Sequence, residues 1–151
     1  MQATSVPHNA LVLIGDGRKA LFLRNHGTPL APKFIVERLL QHENPPTREQ
    51  GTDKPGRVSA SVGSARSATE ETDWHQLEEA RFAGTLADAL YRFSLEEPDT
   101  AIIVVAPPKT LGELRGAYHK GLEDHIISEI PKELTAQPIP HLEKVLTATP
   151  D

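Results

Sequence analysis

The sequence predicts an α/β protein: a mixed five-stranded sheet in the order βββαβαβα, with helices on its faces. Three observations carry this. Ala101 to Ala106 (A-I-I-V-V-A) is an apolar run with no polar face, which suits a central strand covered on both sides. Trp74 to Phe93 repeats its apolar residues at helical spacing. Near the start, Gly15-Asp16-Gly17-Arg18 separates two short strand-like runs, and Asp-Gly is hairpin-turn chemistry.

In order, Ala10 to Ile14 reads as a buried strand, and Lys19 to Arg24 as the strand returning from the hairpin. Asn25 to Pro32, with Gly27, Pro29 and Pro32, is a turn. Phe34 to Leu40 is a third strand, placed at an edge because Glu37 and Arg38 interrupt it. The first forty or so residues thus form an antiparallel meander.

A polar stretch from Gln41 to about Asp73 follows. It carries Pro45, Pro46, Gly51, Pro55, Gly56 and Gly63, with Val58 and Val62 almost its only apolar residues. Structureless loops of this length inside a compact domain are functional or disordered as a rule. The helix after it places Phe82, Ala83, Leu86, Ala87, Leu90 and Phe93 on one stripe, with Arg81, Thr85, Asp88 and Arg92 opposite. Before Phe82 the pattern breaks: Trp74 and Leu77 point away from the stripe and Glu79 falls in line with it. The turns from Trp74 to Arg81 are therefore expected to run past the core, beside the loop. Asp73 is the expected cap, with Gln76 as its capping-box partner.

Glu97-Pro98-Asp99 stops this helix. Pro107-Pro108 ends the Ala101 to Ala106 strand, and Thr110 with Glu113 makes a second capping-box pattern for a helix whose face is Leu111, Leu114 and Tyr118. A short helical piece is expected over Lys120 to Asp124. Ile126 to Ile130 reads as a strand stopped by Pro131, and Pro138 to Leu146 as a terminal helix with Ile139, Leu142, Val145 and Leu146 on one side.

The chain has 151 residues, which suits one domain spanning 1–151, and a formal net charge of −5. The acidic balance argues against a general nucleic-acid binder but leaves room for a local basic patch. With no cysteine there is no disulfide, thiolate nucleophile or thiolate metal site. No apolar run reaches the roughly 20 residues of a membrane span. Met1 to Asn9 lacks the pattern of a secretory signal, so a cytoplasmic location without membrane contact is expected.

The motifs favour binding over catalysis. Gly15-x-Gly17 follows a strand but lacks the helix and third glycine of a dinucleotide loop. Asp16 at a strand end matches one position of a two-metal nuclease, yet Ala106-Pro107-Pro108-Lys109 supplies no second carboxylate. The seven histidines, His8, His26, His42, His75, His119, His125 and His141, show no metal-ligand spacing, so neither a metal nor a cofactor is expected. His75 is the one singled out, because it sits at the head of the long helix beside the loop. The loop serines show no Gly-x-Ser-x-Gly elbow. Its cations, Arg48, Lys54, Arg57 and Arg66, outnumber Glu49 and Asp53 and suit an anionic partner. If the first and fourth strands lie side by side and parallel, Asp16, Arg18 and Pro107-Pro108-Lys109 line a switch-point crevice, with Arg115 on the following helix. The candidate binding residues are therefore Asp53, Arg57, Arg66, His75 and Glu78 at the loop and helix head, and Asp16, Arg18 and Arg115 in the crevice.

Four stretches also carry a family resemblance: Ile14 to Ala20 (I-G-D-G-R-K-A), Asp53 to Arg57 (D-K-P-G-R), Glu78 to Ala87 (E-E-A-R-F-A-G-T-L-A) and Val104 to Arg115 (V-V-A-P-P-K-T-L-G-E-L-R), trailed by Pro131 to Thr135. With them the chain resembles the bacterial host attachment protein family, over nearly its whole length. Where that family shows a His-Ala-Met-Glu-Pro-like string, this chain has Ser67-Ala68-Thr69-Glu70-Glu71, matching only at Ala68 and Glu70. More distantly it is similar to RNase H and to the middle domain of archaeal and eukaryotic peptide-chain release factors. The first resemblance implies a binding protein with a protein partner; the release-factor one implies a translation-associated factor that sets its loop on ribosomal RNA. The release-factor loop carries Gly-Gly-Gln. Here Gly63-Ser64-Ala65-Arg66 occupies the comparable region, which argues against peptidyl-tRNA hydrolysis.

Overall fold

A computed structural model describes residues 5–42 and 68–147, with the side chains of the long helix described from Asp73 onward. The elements are β1 (Leu11–Gly15), β2 (Lys19–Asn25), β3 (Phe34–Gln41), α1 (Ala68–Glu96), β4 (Ile102–Val105), α2 (Pro108–Ala117), a 3-10 turn (Leu122–His125), β5 (Ile126–Ile130) and α3 (Ile139–Val145). The sheet order is β3-β2-β1-β4-β5. β1 to β3 form the antiparallel meander, β1 and β4 pair in parallel, and β4 and β5 pair in parallel. The expected α/β class, strand order and edge position of β3 all hold.

Alternation within the central strands builds two cores. Leu11 and Leu13 of β1, with Ile102 and Val104 of β4, pack under α1 and α2 against Phe82, Leu86, Leu90, Leu111 and Leu114. Val12 and Ile14, with Ile103 and Val105, face the other way onto Val6, Leu134, Leu142 and Leu146. Each fully buried leucine or isoleucine contributes about 1.5–3 kcal/mol. These two strands therefore anchor both layers.

Three local expectations are corrected, and the expected β1–β2 hairpin is present. α1 starts at Ala68, not Trp74, so Asp73 lies within the helix and caps nothing. Ala68, Glu70 and Glu71 are good helix formers, and propensity carries the helix where its apolar stripe has ended. In α2, Pro107 is the N-cap and Pro108 opens the helix, so Thr110 is a buried residue of its first turn and not a cap. The helical piece near Lys120 is a 3-10 turn over Leu122–His125, entered through Gly121 at φ 95°. The β1–β2 turn does not use a left-handed glycine: among the described residues only Asn9 and Gly121 have positive φ. Instead the Asp16 carboxylate accepts hydrogen bonds from the Arg18 and Lys19 amides at 2.7 and 2.8 Å.

One device inside the fold has no signature in the sequence pattern. Arg24 on β2 is buried, donates to Glu97 at 2.8 and 3.1 Å and to Glu37 at 3.1 Å, and lies 4.9 Å from the Phe93 ring centroid. It ties the C-terminal end of α1 to the meander.

Candidate functional site at the strand ends

The parallel β1–β4 pair directs both chain exits to one end of the sheet. β1 leads into the Asp16–Lys19 turn, and β4 leads through Pro107 into α2. α1 passes over the same end with Glu78, Glu79 and Phe82. The segment after β5 approaches from the opposite face and brings Glu133 and Thr135.

Asp16 anchors the floor. Besides the two turn amides, its second carboxylate oxygen lies 2.9 Å from the Thr135 hydroxyl, which also lies 2.6 Å from a Glu133 oxygen. The single Thr135 proton serves one carboxylate at a time. Burial pushes the Asp16 carboxyl up, but the Arg18 and Lys19 amides, Thr135 and the Lys19 charge together hold it below its ordinary value.

Above the floor, Glu79 lies directly against Gly17. A Cβ at Gly17 would meet Glu79 Cδ at 2.8 Å, so the absent side chain makes room for the carboxylate. Lys109 Nζ is 3.3 Å from Glu79 Oε1. Glu113, one turn further along α2, has a buried Oε1 without a hydrogen-bond partner. Burial pushes its carboxyl up; Lys109 opposes this and Glu79 adds to it. Lys109 thus stands between two carboxylates.

The third cluster joins the end of β3 to the head of α1. The His42 amide donates to the Arg18 carbonyl at 2.7 Å. Its Nε2 is buried and 3.2 Å from Glu78 Oε1, close enough for an ion pair but misaligned for a hydrogen bond. The other Glu78 oxygen accepts from Arg81 at 3.0 Å. Beyond it, His75 is exposed, with its ring edge-on to Trp74 at 5.5 Å.

Of the residues singled out by sequence, Asp16, Arg18 and Glu78 come together here, and His75 stands above them on α1. Arg115 does not join them. It pairs with Glu129 at 2.6 Å, shares that carboxylate with Tyr118, and lines a separate open cleft beside β5. Asp53, Arg57 and Arg66 lie outside the described residues. Sequence reasoning did not select His42, Glu113 or Thr135. Glu79 alone gave a signal, as a carboxylate in line with an apolar stripe.

The arrangement is a field of paired charges. Among the described residues, no group of three or more His, Cys, Asp or Glu side chains is placed to hold a metal ion. None of the described helices is long and apolar enough to cross a membrane.

A search of curated proteins finds no match to this chain. A family model does match, over residues 9–146, and so takes in the sheet, the three described helices and the strand-end site. The chain belongs to bacterial archaeo-eukaryotic release factor family 12.

Proposed function

We propose that this chain is a translation-associated binding domain that contacts ribosomal RNA through the head of α1 and the adjoining strand ends. The observation that carries the reading is the exposure of the helix head. Trp74 and Leu77 are 43% and 48% exposed, on turns that run past the core, with His75 beside them. Unstacked RNA bases bind on aromatic faces of this kind, and nearby cations take the phosphates. Arg18, Arg81 and Lys109 are exposed around this end. In sequence, Arg48, Lys54, Arg57 and Arg66 precede the same helix. Membership of a release-factor family supports a ribosomal setting.

The test is co-sedimentation with ribosomes across a salt series, comparing the parent with Trp74→Ala and with Arg57→Ala/Arg66→Ala. Association should weaken as salt rises, and the double arginine variant should reduce the salt slope by about one to two. Trp74→Ala should weaken association at every salt concentration by about 1–3 kcal/mol per stacked base lost. Absence of association at low salt refutes the reading.

A second reading, a binding protein of the host-attachment type with a protein partner, is favoured by Leu77 standing exposed beside Trp74. It predicts association with a protein that changes little with salt and is lost in Leu77→Asp.

A further inference from the structure

β3 is an edge strand, and among the described residues nothing pairs with its outer side. The hydrogen bonds at its two ends fix which backbone groups turn outward. The Lys33 carbonyl accepts from the His26 amide, and the His42 amide donates to the Arg18 carbonyl, so residues 33 and 42 face β2. Alternation then turns Phe34 and Val36 outward before the irregularity in the strand, and Leu39 and Gln41 outward after it. The irregularity is a bulge: Leu23 stands opposite Val36 and Phe22 opposite Arg38, which leaves Glu37 as the extra residue.

The side chains follow the same symmetry. Val36 and Leu39 stand opposite Leu23 and Leu21, on the α3 face, and Ile35 and Leu40 stand opposite Arg24 and Ala20, on the α1 face. Glu37 bonds Arg24, and the Arg38 guanidinium lies 5.8 Å from the Phe22 centroid, so both charges also reach toward the α1 face. About the Glu37–Arg38 step the strand therefore reads alike in both directions. Each side has an outward apolar residue on one face, then an inward apolar residue on the other. Ile35, Val36 and Leu39 are 50%, 46% and 51% exposed.

We propose that β3 pairs antiparallel with β3 of a second copy of this chain, around a two-fold axis at the bulge. A bulge in one strand of an edge pair normally discourages pairing. Two identical bulges related by an axis set each extra residue, Glu37, opposite Arg38 of the other strand and keep the flanking ladder in step. In this register Val36 exchanges backbone hydrogen bonds with Leu39 of the second copy, and Ile35 meets Leu40. Glu37 meets Arg38 twice by symmetry, so Ile35, Val36, Leu39 and Leu40 each have an apolar neighbour and both charges their opposite. The Phe34 amide, which would face Gln41 of the second copy, is already held by Glu143 at 2.8 Å, and this limits the new ladder to the strand's centre.

Sedimentation velocity from micromolar to millimolar concentration tests this, with circular dichroism checking that each variant is folded. Wild type should show a concentration-dependent dimer. Leu39→Pro removes an outward N–H that the strand's own sheet does not use, so the fold is retained while dimerisation weakens at least about tenfold. Arg38→Glu and Glu37→Lys each set like charges face to face and should dimerise poorly alone. An equal mixture restores both opposite-charge contacts and should form the heterodimer. A wild type that stays monomeric throughout overturns the proposal. So does a dimer indifferent to Leu39→Pro and to both charge reversals. Should Leu39→Pro unfold, the mixing experiment decides alone: a heterodimer supports the pairing and its absence overturns it.

Discussion

Carboxylates around the strand-end site are tuned in opposite directions, and the sign has consequences for stability. Asp16 is held below its ordinary 3.8, so the stability it contributes is full above that value and is lost as pH falls through the lowered one. Glu97 behaves likewise: the Arg24 hydrogen bonds outweigh burial and hold it below 4.5. Glu113 runs the other way. Its carboxyl is raised above 4.5, so the native state binds the proton more tightly and stability falls as pH rises from 4.5 through the raised value. Glu113→Gln removes a charge from a site where one oxygen is buried and unpartnered. We expect it to stabilise the protein at neutral pH by about 1 kcal/mol or less, and to have no such effect once the pH is below the ordinary glutamate range. Thermal melts of both proteins at the two pH values check this; equal stabilisation at both would refute the assignment.

At the scale of elements, legibility followed the apolar pattern. β1, β4 and the Phe82 to Phe93 stripe were readable because their periods match their burial: Phe82, Ala83, Leu86, Ala87 and Leu90 are all buried. The start of α1 was not readable, because the sequence before Phe82 carries no apolar stripe, and propensity without a stripe leaves the boundary open. The Thr110–Glu113 pattern misled for a related reason: Pro107-Pro108 starts the helix earlier by fixing the backbone. The strand-end site was half legible. The switch-point argument located Asp16 and Arg18, but Thr135 and His42 arrive from distant segments, and Arg115 points to β5 because Glu129 draws it there. The same division of α1 gives a prediction. Leu86→Ala, wholly buried, should cost about 2–5 kcal/mol. Trp74→Ala, on the projecting head, should stay within about 0.5 kcal/mol. Urea denaturation of both variants checks this, and a comparable loss from Trp74→Ala would place the head in the core.

For the whole molecule, the two cores are not independent, because alternate residues of β1 and β4 feed both. A strand cannot lose its partner on one face and keep its register on the other. The α3 side is the thinner layer: its helix has seven residues, against 29 in α1. Yet Leu142 of α3 is 0% exposed, as is Leu86 of α1. If burial sets the cost of truncation, and not element length, Leu142→Ala should lose about 2–5 kcal/mol, the same range as Leu86→Ala. The shared strands further require that the loss be felt everywhere. Denaturation of Leu142→Ala followed by far-ultraviolet circular dichroism, dominated by α1, and by exchange of β1 and β4 amides should give one coincident transition at a lowered midpoint. A biphasic curve, with α3 released first and α1 still folded on the sheet, would mean that the two layers are separable and that the short helix is a cover on an already stable half.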